Sequence, residues 1–177
     1  MSKGLLILDR DGTLNKRIPG SYLLSEKQIS PAPDLSMIST LDSIGWEMVI
    51  ATNQACISKG LISTKQVTYL TQLILQPWLK LEESDIYICP HRDYDECLCR
   101  KPKPGILEQI LLERPYPRDQ VLFVGDSVTD FQAAKASGIH FAGVCWDSTC
   151  QGTVCLHSIG NIVEHLLAGG NQNERAF

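Results

Sequence analysis

Apolar runs of strand length alternate with helical patterns along most of the chain, and this alternation constrains the fold more than any other feature. The runs are GLLIL at 4–8, WEMVIAT at 46–52, DIYIC at 85–89, VLFVG at 121–125 and HFAGVC at 140–145. Their apolar residues are continuous rather than alternating with polar ones, which indicates strands buried on both faces. Such strands are typical of a parallel sheet.

Helical patterns lie between these runs, at about 34–44, 63–80, 104–113, 129–137 and 159–168. Asp34 and Ser63 are suitable N-cap residues, and Gly45 and Gly138 follow their helices where a C′ glycine is common. Strands that alternate with helices specify a doubly wound, mostly parallel α/β fold. In such folds ligands bind beyond the carboxyl ends of the strands, where the strand order switches.

Two of the predicted strands end in pairs of carboxylates. Asp9 and Asp11 follow the first strand and are separated by one residue, so both are expected on the same side of its end. Asp126 directly follows the fourth strand, and Asp130 lies four residues further on. Clustered carboxylates suit Mg²⁺, which also binds substrate phosphates. For Asp130 the alternative is a structural role as the cap of the helix predicted from residue 129.

Polar and cationic residues follow two further strands. The second strand runs into Thr52, Asn53 and Gln54, whose hydroxyl and amide groups suit phosphate oxygens. Arg100 and Lys101 stand just before a helix that opens near residue 104, so that fixed cations and a helix N-terminus would face an anion together. A lone Lys/Arg run is more often a solvated face, but the neighbouring acids favour a phosphate site.

Two pairs of metal-ligand side chains, each spaced by one residue, flank a five-residue loop: Cys89, His91, Cys97 and Cys99. Three thiolates and one imidazole match a closed, tetrahedral structural Zn²⁺ site. The alternative is a group of buried free thiols with an incidental histidine. Because Arg100 and Lys101 directly follow Cys99, a metal-held loop would deliver both cations to the site at less ordering cost.

The chain resembles the haloacid dehalogenase superfamily over nearly its whole length. The resemblance lies in four segments and their order: the acidic one at Asp9, the polar one at Thr52, the cationic one at Arg100 and the acidic one at Asp126. DRDGT at 9–13 is the most specific part. The resemblance implies that Asp9 is a nucleophile that forms an aspartyl-phosphate, while Asp11 protonates the leaving oxygen and then activates water. It implies that Thr52 and Lys101 stabilise the phosphoryl charge. Mg²⁺ would be held by Asp9, Asp126 and the backbone carbonyl of Asp11.

The stretches CPH and CLCRKP narrow the resemblance to the zinc-containing branch of this superfamily that acts on D-glycero-D-manno-heptose 1,7-bisphosphate and on histidinol phosphate. The resemblance implies a compact member without a separate cap domain. NQACISKG and RKPKPGIL resemble the heptose enzymes, whereas the five-residue gap between His91 and Cys97 resembles the histidinol-phosphate domain. Ala55, Cys56 and Ser127 depart from the branch, and Ser127 stands where a cation is expected.

The expected activity is Mg²⁺-dependent hydrolysis of a small phosphorylated metabolite, and the heptose bisphosphate is the favoured substrate. Histidinol phosphate or another sugar phosphate is the alternative, and a catalytically silent, zinc-stabilised binding module is a further one. Six residues are the expected substrate contacts: Thr13, Gly20, Tyr22, Asn53, Gln54 and Arg100. Asp130 is expected to support the site.

Length and charge agree with the prediction of an enzyme that acts on a small phosphorylated metabolite. The 177 residues fit one domain over 1–168, followed by a polar, glycine-rich tail at 169–177 that is expected to fray. A formal net charge of −4 without a basic stripe gives no footprint for nucleic acid, so the expected partner is a small phosphate ester. The short apolar N-terminal run predicts neither a signal peptide nor a membrane span. We therefore expect a cytoplasmic protein and a monomer, with a dimer left open.

Overall fold

The computed structural model describes residues 3–144, 155–156 and 158–169. Six strands form its sheet: β1 Gly4–Leu8, β2 Trp46–Asn53, β3 Ile86–Cys89, β4 Val121–Gly125, β5 His140–Val144 and β6 Cys155–Leu156. All neighbouring strands are parallel, in the order β3-β2-β1-β4-β5-β6. The doubly wound prediction is confirmed for the five longer strands. The sequence does not predict β6, because two residues form no apolar run of strand length.

Five α-helices connect or flank the strands: α1 Ile38–Ser43, α2 Thr64–Leu75, α3 Gly105–Glu113, α4 Val128–Ser137 and α5 Ile159–Gly169. The helix predicted to reach residue 80 ends at Leu75, because Pro77 lacks the N–H that would continue the helical hydrogen bonds, although Gln76 still has helical backbone angles. Within the described residues, the connection between β1 and α1 contains two short 3-10 turns, at Glu26–Gln28 and Leu35–Met37, and no separate cap domain. The tail predicted after residue 168 lies outside the described residues beyond Gly169, and none of the described helices is long and apolar enough to cross a membrane.

The predicted helix caps are correct at three of four positions. The Ser63 hydroxyl accepts a hydrogen bond from the third backbone N–H of α2. Gly45 and Gly138 follow α1 and α4 with φ values of +91° and +63°. Asp34 is the exception, since its φ is +58°, its side chain makes no capping bond, and the chain first forms a 3-10 turn before α1 begins.

The sheet is buried on both faces, which explains the continuous apolar runs. In β1, Leu6 and Leu8 belong to the core formed with α1, α2 and α5. Leu5 and Ile7 point to the opposite face and pack in the core formed with α3 and α4. None of these four side chains is more than 1% exposed, so β1 is the central strand of the molecule.

The switch in strand order falls between β1 and β4, which pair directly from Leu5 with Val121 to Leu8 with Val124. The chain leaves β1 at Asp9, whose backbone N–H donates to the carbonyl of Val124 at 2.9 Å. The carboxyl ends of β1, β2 and β4 therefore open at one edge of the sheet, where this class of fold binds its ligands.

Candidate active site

Asp9 and Lys101 lie at the centre of a buried ion-pair cluster. The Asp9 residue is 6% exposed and Lys101 is 3% exposed. The ammonium Nζ of Lys101 lies 2.7 Å from Asp9 Oδ1 and 2.7 Å from Asp130 Oδ1. It also donates to the carbonyl of Ala51 at 2.7 Å. All three N–H groups of this ammonium are therefore used, and its position is fixed.

Burial dominates the electrostatics of the cluster. It raises the pKa of Asp9 from 3.8 to about 7; the charge of Lys101 acts in the opposite direction, and Asp130 and Asp126 add to the rise. Burial lowers the pKa of Lys101, but the carboxylates of Asp130 and Asp9 raise it by more, so the net direction is upward. Three carboxylates crowd around one buried ammonium, and this excess of negative charge favours binding of a further cation.

Two side chains orient the Asp11 carboxylate. Arg10 is fully buried and donates to Asp11 Oδ2 at 2.6 Å through Nη2 and to Oδ1 at 3.1 Å through Nε. Gln54 Nε2 donates to Asp11 Oδ2 at 2.7 Å and to the hydroxyl oxygen of Thr52 at 2.8 Å. The Asp11 side chain remains 32% exposed, so its direction is fixed while its oxygens stay accessible.

Asp126 leaves β4 beside the turn that follows Asp9. Gly12 in this turn has a φ of +100°, and a Cβ atom there would come within 1.8 Å of Asp126 Oδ2. The guanidinium of Arg17 contacts both carboxylate oxygens of Asp126, at 2.8 and 3.1 Å. It also donates to the backbone carbonyl of Asp11 at 3.3 Å. The acidic groups predicted at the ends of β1 and β4 thus meet at the switch point.

The donor set at this point fits a hard divalent cation. Carboxylate oxygens of Asp9, Asp126 and Asp130 lie within 4.8 Å of one another, and oxygen donors with surplus negative charge suit Mg²⁺. Asp130 is the least available of the three, because Lys101 engages its Oδ1 and the Ser127 hydroxyl donates to its Oδ2 at 2.5 Å. The Asp11 carbonyl is the further oxygen that the sequence predicts as a ligand.

Asp130 also has the structural role that the sequence left open, but not as the N-cap. Ser127 is the N-cap of α4, and its hydroxyl accepts from the backbone N–H of Asp130 at 3.3 Å. The Asp130 carboxylate in turn accepts from the Ser127 N–H at 3.2 Å, which completes a capping box. Asp130 therefore anchors α4 and Lys101 at once.

A cavity of about 530 Å³ opens over these groups, and its walls include Asp9, Asp11, Thr52, Lys101 and the predicted contacts Gly20, Tyr22, Asn53 and Arg100. Thr13 and Gln54, also predicted as substrate contacts, lie behind the described walls. Thr13 is fully buried, and Gln54 is 1% exposed because its amide bonds to Asp11 and Thr52. These two residues support the walls instead of forming them.

The four predicted zinc ligands converge on one point. Cys99 Sγ lies 3.2 Å from Cys89 Sγ, 3.7 Å from Cys97 Sγ and 3.3 Å from His91 Nδ1. Cys89 Sγ lies 3.7 Å from Cys97 Sγ and 3.6 Å from His91 Nδ1. A tetrahedral site with Zn–S bonds of about 2.3 Å has edges of about 3.8 Å, so the cluster is close to the size that zinc needs.

Burial raises the pKa of the Cys89 and Cys99 thiols, whereas hydrogen bonds, chiefly from the Arg100 backbone, outweigh burial at Cys97 and lower its pKa. The neighbouring Cys99 thiol adds to the rise at Cys89. A coordinated cation removes this penalty, since it binds the thiolate form. The described residues therefore hold two candidate metal centres, one of oxygen donors and one of sulfur and nitrogen donors.

The candidate zinc loop is tied to the cavity by several contacts. Asn53 pairs with the backbone of Lys101, donating to its carbonyl at 3.0 Å and accepting from its N–H at 3.2 Å. Arg100 donates to the carbonyl of His91 at 3.2 Å and lines the cavity. Lys103 points elsewhere, because its ammonium donates to the carbonyl of Cys97 at 2.7 Å. Of the two neighbouring lysines, Lys101 is the one that reaches Asp9.

Two cations of the cavity are not predicted by the sequence. Arg17 contacts Asp126 across 109 positions of the chain. Lys59 donates to the Tyr22 hydroxyl at 2.8 Å and lies 5.1 Å from the centre of its ring. Both residues are cations in loops, Arg17 directly after Lys16, and this is a common pattern. The one available signal is that Arg17 follows the acidic motif closely and Lys59 follows the polar end of β2.

Comparisons with known proteins agree with this geometry. The family model described as haloacid dehalogenase-like hydrolase matches residues 24–144. A D-glycero-beta-D-manno-heptose-1,7-bisphosphate 7-phosphatase of Pseudomonas aeruginosa is 36% identical over 141 residues, which cover 77% of this chain and 78% of that protein. The histidine biosynthesis bifunctional protein HisB of Campylobacter jejuni is 27% identical over 78% of this chain, and the match covers 41% of HisB.

The solved structures give the same result. The D,D-heptose 1,7-bisphosphate phosphatase of B. bronchiseptica, complexed with magnesium and phosphate, superposes with a TM-score of 0.81 and 29% identity, covering 93% of this chain and 98% of that one. The chain therefore belongs to the haloacid dehalogenase-like hydrolase family, as one of its phosphatases.

Proposed function

We propose that the chain removes the 7-phosphate of D-glycero-D-manno-heptose 1,7-bisphosphate through an aspartyl-phosphate on Asp9. One observation carries the proposal: the Asp9 carboxylate is held at the end of β1 by Lys101 at 2.7 Å, in a cavity that it shares with Asp11. The similarity to heptose bisphosphate phosphatases supports the choice of substrate. A cytoplasmic site of action is part of the proposal, because reducing conditions keep the clustered thiols available to a metal.

The reaction has two steps. In the first, an oxygen of Asp9 bonds to phosphorus, the bond from phosphorus to the leaving oxygen breaks, and Asp11 gives that oxygen its proton. In the second, Asp11 takes a proton from water, the water oxygen bonds to phosphorus, and phosphate leaves Asp9. Arg10 and Gln54 hold the Asp11 carboxylate in one direction for both proton transfers.

The cations of the site complete this chemistry. Lys101 and Thr52 stabilise the charge that develops on the phosphoryl oxygens. Mg²⁺, held by Asp9, Asp126 and the Asp11 carbonyl, would act as a Lewis acid on the same oxygens. The B. bronchiseptica enzyme, which is described with magnesium and phosphate, supports this part of the proposal.

Zinc has a structural role in the proposal. Cys89, His91, Cys97 and Cys99 would hold it in a closed site without an open coordination position. Its effect is to fix the loop that ends at Arg100 and Lys101, so that neither cation has to be ordered when substrate binds.

Histidinol phosphate is the second candidate substrate, because the chain is also similar to HisB. The higher identity and near-complete structural match with the heptose enzymes favour the heptose bisphosphate. The departures at Ala55 and Cys56 do not argue against it, since both residues are buried and the Cys56 thiol donates to Gln54 Oε1 at 3.3 Å. A silent binding module is disfavoured, because the predicted acids converge at one site.

The nucleophile is tested by phosphate release from the heptose bisphosphate, with and without added Mg²⁺. We expect Asp9→Asn to lower kcat by roughly three orders of magnitude or more, since no group remains to form the intermediate. Asp42→Asn, an exposed change of the same kind in α1, is the matched control and should retain full activity. Comparable turnover in Asp9→Asn would refute the assignment.

The substrate is tested by a panel of heptose 1,7-bisphosphate, histidinol phosphate and simple sugar monophosphates. The heptose bisphosphate should have the highest kcat/KM. A higher value for histidinol phosphate would replace the proposed substrate while leaving the proposed chemistry intact.

A further inference from the structure

Arg17 occupies two of the three groups assigned above to Mg²⁺. Its Nη2 lies 2.8 Å from Asp126 Oδ1 and 3.3 Å from the carbonyl oxygen of Asp11, and its Nε lies 3.1 Å from Asp126 Oδ2. A guanidinium and a metal ion cannot use the same lone pairs of these oxygens at once. The two cations therefore compete for these oxygens.

The contact of Arg17 is of the kind that a divalent ion displaces. The Arg17 side chain is 59% exposed, whereas that of Lys101 is 2% exposed and has three acceptors. Solvent screens the arginine side of this ion pair, whereas the Asp126 side chain is only 14% exposed. The structure thus distinguishes a buried cation, Lys101, from a solvent-accessible one, Arg17.

Arg17 lines the cavity, whose walls also include Tyr22 and Lys59, so its side chain can still reach the cavity after it leaves Asp126. Ser127, the residue after Asp126, also lines the cavity and brings no charge. Arginine stays protonated at all relevant pH values and offers a planar set of donors that matches two phosphate oxygens. A released Arg17 is suited to a second phosphate on the substrate.

We propose that Arg17 is an exchangeable cation. In the metal-free site it neutralises Asp126. When Mg²⁺ binds the oxygens of Asp126, Arg17 leaves them and binds the second phosphate of a bisphosphate substrate. The inference rests on the proposed function and adds a residue that selects bisphosphates over monophosphates. Its two halves are measured separately.

The first half is tested by titrating the zinc-containing protein with Mg²⁺ alone in a calorimeter. Arg17→Gln removes the competing charge and should bind Mg²⁺ about threefold more tightly or better, as expected for the loss of an ion pair whose arginine is exposed. Arg17→Lys should lie between Arg17→Gln and the wild type. Lys16→Gln, which removes an exposed neighbouring charge, is the matched control. Equal Mg²⁺ affinities of wild type and Arg17→Gln would overturn the competition.

The second half is tested at saturating Mg²⁺ with heptose 1,7-bisphosphate and heptose 7-phosphate. Arg17→Gln should raise KM for the bisphosphate about tenfold, the effect of losing one charge-assisted contact, and change KM for the monophosphate by less than about twofold. Equal changes for both substrates would overturn the selective role. If the wild type hydrolyses neither compound, the proposed function fails, and the Mg²⁺ titration still decides the first half.

Discussion

Burial disfavours the ionised form of the Asp9 carboxylate. The side chain sits between an apolar strand and two further carboxylates, and these surroundings raise its pKa to about 7. Lys101 offsets part of the cost, but it is shared with Asp130. The residue is therefore ionised most easily when a further cation is present. We therefore expect metal binding and ionisation of Asp9 to be coupled through charge.

The raised pKa predicts how stability depends on pH in magnesium-free protein. Between about pH 4 and pH 7, native Asp9 holds a proton that the unfolded chain, with a pKa of 3.8, has lost. Asp9 therefore makes the native state less stable as pH rises through this window. The free energy of unfolding of Asp9→Asn, relative to wild type, should increase over this range by up to about 1.4 kcal/mol per pH unit.

Urea denaturation at four pH values after dialysis against magnesium-free buffer measures this difference. Asp126 also has a raised pKa and its charge acts on Asp9, so the difference between the two proteins reports the titration of the carboxylate cluster. Two parallel stability curves would contradict the raised pKa of Asp9.

Gly12 offers a second prediction at this scale. Alanine at this position needs a φ of +100° and places a methyl group 1.8 Å from Asp126 Oδ2. We expect Gly12→Ala to displace Asp126 and to weaken Mg²⁺ binding at least about tenfold, with a loss of stability of roughly 1–3 kcal/mol. Calorimetry with Mg²⁺ and urea denaturation measure both effects. Gly20→Ala also has a positive φ, of +66°, but meets no atom within 4 Å, so it should keep the Mg²⁺ affinity of the wild type.

The sequence predicts the residues of this site whose signal is local. Asp9 and Asp11 are recognised by their spacing at a strand end, and the zinc-ligand candidates by their density along the chain. The position of Arg17 depends on a contact with Asp126 that spans 109 positions, and no local pattern encodes it. Thr13 and Gln54 are the reverse case. The sequence predicts that they contact the substrate, but the structure buries both of them.

At the scale of elements, the segment from β3 to α3 carries the candidate zinc ligands as well as Arg100 and Lys101 of the cavity. The N–H of Gly105, the first residue of α3, donates to the carbonyl of Leu98 at 3.1 Å. At the other end, Ser58 in the loop after β2 donates to the carbonyl of Pro90. The four candidate zinc ligands therefore hold not only Arg100 but also the loop that carries Lys59.

Cys97→Ser tests this element. The variant should lose most of its zinc and raise KM for substrate about tenfold or more, because the loop with Arg100 and Lys101 is no longer ordered before binding. Elemental analysis and steady-state kinetics measure the two effects. Leu98→Ala is the matched control, since Leu98 is in the same loop, is 78% exposed and has no ligand atom, and it should retain zinc. Full activity of zinc-free Cys97→Ser would contradict the structural role.

Some element boundaries are set by neighbouring residues in the sequence, and others by packing against distant parts of the chain. Ser63 and Gly138 mark helix ends because their chemistry acts on adjacent backbone groups. Pro77 ends α2 for the same local reason, although the apolar pattern continues beyond it. The left-handed conformation of Asp34 is different. A Cβ on Gly160 would lie 3.0 Å from the Asp34 Cβ, so this turn packs closely against α5, which is far away in sequence.

At the scale of the whole molecule, one chain supplies every group that the proposed reaction uses. The described cavity walls come from the loops after β1, β2 and β4 and from the segment after β3, and all of these strands belong to one sheet. The proposed site needs no residue from a second copy. We therefore expect activity to be a property of the single folded chain.

This arrangement predicts that specific activity does not change on dilution. Turnover per chain should stay constant, within about twofold, from micromolar to low nanomolar protein at saturating Mg²⁺ and substrate. Steady-state assays in the presence of an inert carrier protein measure it. A fall in turnover per chain at low concentration, with the fold retained, would show that the site is completed by a partner.

The central position of β1 has a consequence for synthesis of the protein. β1, β2 and β3 leave the ribosome first, yet β1 gains its second neighbour only when Val121–Gly125 has been made. Until then one edge of a wholly apolar strand has no partner, which exposes the nascent chain to aggregation. The same event that closes this edge brings Asp126 to Asp9, so the growing polypeptide acquires its proposed metal site and its protection from misassembly together.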